Sequence, residues 1–494
     1  MDQYEAYCLA DPVFYDTLER QDADFPAELV EPPAGWAHER SDTWFYYAPL
    51  DGEPLPAQGW KIHVSARLED AERAIAAVRG YCADRGLAFK FLRGPSALVM
   101  VNSKAASRAS SGKLITIYPR DEAQLELALK ELDELLRGVR GPYILSDLRY
   151  GSGPLYVRYG GFAERHCLAA GERVLAVADG EGTLVPDRRE ATFSVPPWTG
   201  LPPFLESQLA ARNAVTTEGL PYRIESVLHF SNGGGVYLAR DTRGGERVVL
   251  KEARPYAGLD AAGRDAVARL AHERDMLARL AGLDAVPRLI DHFELGEHHF
   301  LVQEFVDGVT LQRRLVRRYP FTSATCTRAD VEEYTGWALT TLHLVSEALD
   351  ALHGRGVVFG DLHPDNVLLA ADGRVVLIDY EVATLAADSA RAALGHPAYA
   401  PPPAVRGVAV DDYALACLRI GLFAPQCTIM LPLHRPKIAH LAELVRETFP
   451  VGDLTPVVTA IGGTEGRDDP PMPGRAPWPE VRDAMHRAIV ASAT

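Results

Sequence analysis

The chain has 494 residues, 47% of them hydrophobic and 24% charged, and a formal net charge of −16. That length exceeds one ordinary core, so two or three globular domains are expected and disordered or fibrous classes are excluded. The acidic balance argues against wholesale nucleic-acid binding and confines any anion site to a local pocket. The start, MDQYEAYCLADPVFYD, lacks the basic flank and apolar run of a secretory signal, and no apolar segment is long enough to span a bilayer. Six cysteines with no CxxC pair and no Cys/His cluster suit a reducing compartment. The expected location is the cytoplasm, with neither membrane nor nucleic acid as partner.

From residue 59 to about 160, the runs WKIHVSA, FKFLRG, ALVMVNS, KLITIYP and PLYVRYG read as strands, alternating with helical patterns in LEDAERAIAAVRGYCADRG and EAQLELALKELDELLRGVR. The fold class is α+β. In WKIHVSA, Lys61 and His63 alternate with Ile62 and Val64 and so share one strand face. Taken alone, that is also the pattern of an ordinary strand with a polar solvent side. Lys90, Lys104, Arg108, Lys113, Arg149 and Arg158 also sit in or beside strand-like runs, a density of cations unusual in an acidic chain. A concave face carrying them would bind a phosphate dianion through charge-assisted hydrogen bonds.

SVPPWTGLPPF reads as a linker near residue 200, dividing the chain into domains 1–200 and 201–494. Beyond it, YRIESVLHF, GGVYLARD and RVVLKEAR form a small sheet, HERDMLARLAGL a helix, and a mainly helical region follows.

VVFGDLHPDNVLLAADGRVVLIDYE is the most specific segment. Asp361 and Asn366 stand five apart, and Asp379 follows a strand-turn-strand pattern. One loop can thus offer a base and a metal ligand while the next strand end offers a second ligand, as phosphoryl transfer requires. The segment resembles the protein-kinase-like superfamily, which implies a bilobal fold. On that resemblance Lys251 holds nucleotide phosphates and Glu273 pairs with it. Gly233, Gly234 and Gly235 occupy the glycine-rich loop, QEFVDG around Glu304 is the nucleobase hinge, and Asp411 braces the catalytic loop. Asp361 is then the catalytic base, Asn366 and Asp379 hold Mg, and ATP or GTP is the donor. Several positions depart from the pattern. Phe359 and Gly360 replace the usual His-Arg, so the arginine that would read an activation-loop phosphate is absent. His229 and Ser231 replace two loop glycines, Tyr380 and Glu381 replace Phe-Gly, and APPPA lacks the acid of Ala-Pro-Glu. His363, in place of a common lysine, is shared with small-molecule kinases of the aminoglycoside phosphotransferase type. None of these changes removes Lys251, Asp361, Asn366 or Asp379.

The order WKIHVSA, FKFLRG, SGKLITIYP, GPYILSDLRYG, YVRYGGF, followed by a kinase-like domain, resembles the N-terminal two thirds of class III lanthipeptide synthetases, and more distantly class IV. The first domain of that family is similar to bacterial phosphothreonine lyases. The resemblance implies that the kinase phosphorylates Ser and Thr of a precursor peptide. The lyase then eliminates phosphate to leave dehydroalanine or dehydrobutyrine. Within it, Lys90 is the base that removes the Cα proton and His63 the acid at the leaving oxygen. Lys61, Arg108, Lys113, Arg149 and Arg158 hold the phosphate. Asp147 either orients a cation or serves a turn. A lysine among other cations, partly desolvated, has the lowered pKa a base requires.

The family normally continues into a cyclase domain. This chain ends at WPEVRDAMHRAIVASAT without a Cys/Cys-His set, and Cys417 and Cys427 read as core residues, so either a chain cut before the cyclase or a stand-alone two-domain form is expected, the former preferred. The alternatives are a small-molecule kinase with an accessory N-terminal module and a pseudokinase scaffold that binds peptide without catalysis. The oligomeric state is not legible.

Overall fold

A computed structural model describes residues 24–462, apart from 215, 217, 261, 324, 389–394 and 403. The segments MDQYEAYCLADPVFYD and WPEVRDAMHRAIVASAT and Pro403 of APPPA therefore lie outside the described residues.

The N-terminal domain begins with the short helix α1 (Ala27–Val30) and strands β1 (Trp36–Arg40), β2 (Trp44–Pro49) and β3 (Gln58–Val64). It continues through α2 (Leu68–Arg85), β4 (Ala88–Leu92), α3 (Pro95–Asn102), β5 (Ile115–Tyr118), α4 (Glu122–Leu135), β6 (Leu148–Tyr150) and β7 (Leu155–Gly161). The seven strands form one antiparallel sheet in the order β1-β2-β4-β5-β3-β7-β6. Period-two alternation sorts its faces. Ile62, Val64, Phe89, Phe91, Ile115 and Ile117 pack into one core with Ala74, Ile75 and Val78 of α2 and Leu125, Leu129 and Leu132 of α4. The intervening residues, Lys61, His63, Lys90 and Thr116, point to the opposite face.

Two expectations change. ALVMVNS is a helix, not a strand. A short apolar run cannot be told from a buried helix by periodicity, and Gly94 in extended conformation followed by Pro95 at the first helical position starts a helical turn. The aromatic run WFYYAP, not anticipated, is β2, which pairs beside β4.

A three-stranded antiparallel sheet of β8 (His166–Ala169), β9 (Glu172–Ala178) and β10 (Leu184–Pro186) follows. The proline-rich stretch after it is docked on the domain. Val195, Leu201, Phe204 and Leu209 pack on the N-terminal core and Leu205 is buried in it. The helix α5 (Glu206–Ala214) lies against β6, with Gln208 accepting a hydrogen bond from the Gly151 amide, so the chain leaves this domain after Ala214.

The second domain is bilobal. Its first lobe is an antiparallel sheet of β11 (Tyr222–Ser231), β12 (Gly234–Asp241), β13 (Arg247–Ala253), β14 (Leu289–Leu295) and β15 (His298–Glu304), in the order β11-β12-β13-β15-β14. It carries helix α6 (Ala266–Arg279), whose N-cap Asp265 accepts from the Ala268 amide. The second lobe contains β16 (Gly308–Thr310), α7 (Leu311–Arg318), α8 (Arg328–His353), β17 (Val357–Val358), β18 (Val367–Ala370), β19 (Val375–Leu377), β20 (Thr384–Leu385) and α9 (Ala409–Gly421). Helices α10 (Cys427–Leu433), α11 (Lys437–Thr448) and α12 (Thr455–Gly462) close it. Cys417 and Cys427 are core residues, and burial pushes both thiols up to about 12. Among the described residues no helix is long and apolar enough to cross a membrane.

The two domains touch along residues 102–108. Ser103 forms a parallel bridge to Leu259, the Leu259 amide donates to Asn102 O (2.9 Å), and Asn232 Nδ2 donates to Ser103 O (3.0 Å).

Two candidate active sites

On the polar face of the large sheet lies a cavity of about 270 Å³ whose lining includes Lys61, His63, Lys90, Lys113, Arg158 and Arg189. The sheet register brings them together: Lys61 faces Arg158 across β3 and β7, and Thr116 of β5 stands between Lys90 on β4 and His63 on β3. Three of the groups are restrained from behind. His63 Nδ1 bonds to the buried Asp147 carboxylate, Lys113 Nζ donates to Ser146 Oγ (3.0 Å), and Arg158 is paired with Asp187. Lys90 stands over the faces of Trp44 (4.2 Å) and Tyr46 (5.1 Å), a cation–π setting supplied by β2.

Burial governs the protonation states. Desolvation, reinforced by Arg158, brings Lys61 down to about 7. Desolvation with Arg189 and Lys113 brings Lys90 down to about 8. Lys113 is also lowered by burial, with Asp147 opposing. His63 falls to about 4, because its loss of solvation outweighs Asp147. For Asp147, burial favours the neutral acid, but Lys113 and His63 overcome it and hold the carboxyl well below its usual range. The imidazole is thus neutral. Its Nδ1 faces an acceptor-only carboxylate, so that nitrogen carries the proton and Nε2 is the basic atom.

Arg108 and Arg149, expected on this phosphate site, are not part of its lining. Arg149 lies on the edge strand β6, where it donates to Gly153 O (2.9 Å) and pairs with Glu297 of the second domain (2.7 Å). Arg108 stacks over Phe230 of β11 at 4.1 Å, because the loop that carries it is pinned to the second domain. Arg189 takes a place among the cations instead. Nothing in its local run DRRE distinguished it from a solvated charge cluster, and only the docking of β10 brings it to the pocket.

The second cavity, of about 490 Å³, lies between the lobes, lined by Gly233, Gly234, Gly235, Lys251, Glu273 and Asp379 among others. The turn from β11 to β12 requires glycine at 234, where a Cβ would lie 1.9 Å from Glu252 O. Lys251 Nζ, on β13, contacts Glu273 Oε1 of α6 (2.7 Å) and Asp379 Oδ1 (3.0 Å). Burial alone would discharge this lysine, but Asp379 and Glu273 hold it charged, above its ordinary value. Asp379 is a non-glycine residue at φ +73°, a strained conformation that the surrounding charge pairs sustain.

Asn366 Nδ2 donates to Asp361 O (3.0 Å) and Oδ2 (3.3 Å), while the His396 amide donates to Asp361 Oδ1 (2.9 Å). Beneath them the buried Asp411 accepts from the amides of Phe359 and Gly360 (2.8 Å each) and pairs with His353. Gly360 sits at φ +82°, a conformation an arginine there would adopt only with strain. Glu304 lines the cavity, but its carboxylate is taken by Arg288 and Arg374. For a cation, the Asp379 carboxylate and the Asn366 side chain, whose nitrogen is spent on Asp361, offer hard oxygen donors of the kind Mg²⁺ accepts.

Residues 24–215 match the family model described as RamC, N-terminal domain, and residues 222–439 match that of the protein kinase domain. A probable SapB synthase of Streptomyces coelicolor is 51% identical over 456 residues, which cover 91% of this chain and 49% of that protein. The serine/threonine-protein kinase PknD of Mycobacterium tuberculosis is 31% identical over 206 residues, 40% of this chain and 29% of its own length. The Arabidopsis thaliana serine/threonine-protein kinase AGC1-5 is 32% identical over 161 residues, 33% of this chain and 26% of its own. The chain thus spans about half the length of the first of these relatives and less of the others. The RamC N-terminal domain followed by a protein kinase domain, and the 51% identity to the SapB synthase over 91% of this chain, fit the architecture of the class III lanthipeptide synthetases.

Proposed function

We propose that the chain is a bifunctional peptide dehydratase. Its kinase domain transfers phosphate from ATP or GTP, with Mg²⁺ held by Asn366 and Asp379, to Ser or Thr of a precursor peptide. Asp361 orients the attacking hydroxyl and Lys251 holds the nucleotide phosphates. The N-terminal cavity then eliminates that phosphate.

Lys90, as the free amine, takes the Cα proton, the C–O bond breaks, and the electron pair forms the Cα=Cβ bond of dehydroalanine or dehydrobutyrine. His63 gives a proton to the departing oxygen, and Lys61, Lys113, Arg158 and Arg189 hold the phosphate as its charge grows. The neutral resting state of His63 is compatible with this role, because a bound phosphate dianion supplies the negative charge that raises an imidazole pKa. The observation that carries the reading is the convergence of Lys61, His63, Lys90, Lys113, Arg158 and Arg189 on one cavity in a chain that also holds the Lys251–Glu273–Asp379 constellation.

The test is mass spectrometry of the precursor peptide encoded beside the gene, incubated with nucleotide and Mg²⁺. Gain of a phosphate mass followed by its loss as phosphoric acid is expected. His63→Ala or Lys90→Ala should accumulate phosphopeptide. Asp361→Asn should block phosphorylation yet leave elimination from a synthetic phosphopeptide intact. Elimination unaffected by the His63 and Lys90 substitutions would refute the role assignment.

A further inference from the structure

We propose that Lys104, a residue of the N-terminal domain, is a positioning residue of the phosphoryl-transfer site, so that the N-terminal domain acts as a built-in activator of the kinase. This rests on the reading of the second domain as an active kinase.

Among the described residues, Lys104 is the one from the N-terminal domain that lines the cavity between the kinase lobes. Its ammonium is ion-paired with Glu381 Oε1, and the other oxygen of that carboxylate accepts from Arg269 Nε (3.1 Å). Glu381 follows Asp379 by two positions, on the segment that presents the metal ligand. Arg269 is only 3% exposed and sits one turn before Glu273 on α6. The bridge Lys104–Glu381–Arg269 therefore runs beside Lys251–Glu273 and Lys251–Asp379, and ties the same helix to the same loop. Phosphoryl transfer by a protein kinase needs both the Lys–Glu pair and the metal aspartate in place at once.

Delivery of the lysine is fixed by main chain. The Lys104 amide donates to Leu259 O (3.2 Å), Lys104 O accepts from the Asn232 amide (3.3 Å), and Ser103 bridges Leu259. Asn232 is the residue that enters the glycine turn, so one short segment of the N-terminal domain holds both that turn and the metal loop. The same segment runs on to Ser110 and Lys113, which line the other cavity. Charge adds to the argument. Glu381 stands where the family pattern has glycine and brings a carboxylate toward the place a triphosphate occupies. Arg269 neutralises it, and Lys104 brings the six charges Lys104, Arg269, Lys251, Glu273, Asp379 and Glu381 to a sum of zero where the set without it is negative.

A purely structural surface ion pair contributes little, and the Lys104 side chain is 40% exposed. Removing it should therefore leave stability nearly unchanged while lowering kinase turnover. The experiment compares the full chain with Lys104→Ala and Lys104→Arg, in three readouts. These are MgATP consumption with the precursor peptide as MgATP is varied, phosphate release from a synthetic phosphoserine form of that peptide, and thermal unfolding. For Lys104→Ala a loss of about five-fold or more in kcat/KM for MgATP is expected, the size of an ordinary coupling between sites. Phosphate release and unfolding temperature should stay at the wild-type level, and Lys104→Arg should retain most kinase activity. Wild-type MgATP kinetics in Lys104→Ala overturns the proposal. So does a loss shared equally by phosphate release and unfolding temperature, or a loss that Lys104→Arg does not relieve. A wild-type chain that consumes neither MgATP nor MgGTP with peptide overturns the kinase reading itself, and this inference with it.

Discussion

The pH dependence of elimination follows from two lysines whose pKa values are about one unit apart in the order opposite to their roles. Lys61, at about 7, serves as an ammonium, and Lys90, at about 8, serves as a free amine. At pH ~7.5 each is in its working form in ~0.24 of molecules, so ~0.06 of the free enzyme has both, by simple titration of independent groups. At pH ~6 and again at pH ~9 the product falls to ~0.009, so the two lysines contribute to kcat/KM a bell centred near pH ~7.5 that falls about six-fold on each side, multiplied by the alkaline fall that the His63 proton imposes. Lys61→Arg removes one limb, because a guanidinium does not titrate in this range. The proton that His63 must carry is required by both chains and cancels in the ratio of variant to wild type, which should rise about a hundred-fold from pH ~6 to pH ~9. The larger side chain beside Arg158 and Gly160 can lower the whole curve, so the diagnostic is the shape and not the height. The assay is phosphate release from a synthetic phosphoserine peptide, measured below saturation from pH ~6 to pH ~9.5. The second phosphate ionisation, near ~6, touches only the acid edge. A wild-type profile flat between pH ~7 and pH ~9, or a ratio of Lys61→Arg to wild type that stays constant from pH ~6 to pH ~9, refutes the reasoning.

Further expectations concern single positions. Asp147→Ala leaves Lys113 and His63 facing a buried site without their carboxylate and should destabilise the N-terminal domain by about 3–5 kcal/mol in urea unfolding. Because Asp147 titrates below its usual range when folded, its contribution is present in full above the ordinary carboxylate pKa and lost as pH falls through the folded value. The wild-type domain should therefore weaken in acid more than the variant does. Gly234→Ala places a methyl against Glu252 O and should abolish phosphorylation while sparing elimination from a synthetic phosphopeptide, read by mass spectrometry. Gly360→Arg, which restores the usual kinase residue, forces a side chain into the left-handed region and should lower stability by about 1–2 kcal/mol in denaturant titration.

The alternation of Lys61 and His63 with Ile62 and Val64, and of Lys90 with Phe89 and Phe91, was sufficient to put these cations on one side of a sheet. A strand's period is local, and burial of the apolar side forces the choice. The kinase constellation was legible for a similar reason, since GDLHPDN and LIDYE encode short loops whose spacing is set within a few residues. Local signals could not say which cations share a cavity. Arg108 and Arg149 lie in strand-adjacent runs like those of Lys113 and Arg158, yet Phe230 and Glu297 of another domain claim them. Arg189 reaches the cavity only because a separate small sheet folds back. ALVMVNS was ambiguous for want of length, and its helix is decided by the glycine-proline start and the core it meets. Lys104 shows the limit most plainly. In sequence it is one cation among several near the phosphate pocket, and only the docking of two domains places it beside Glu381 and Arg269. Periodicity and short loops act over a few residues and are written in the chain, whereas charge partners chosen across 277 positions, as for Lys104 and Glu381, exist only once the domains have packed.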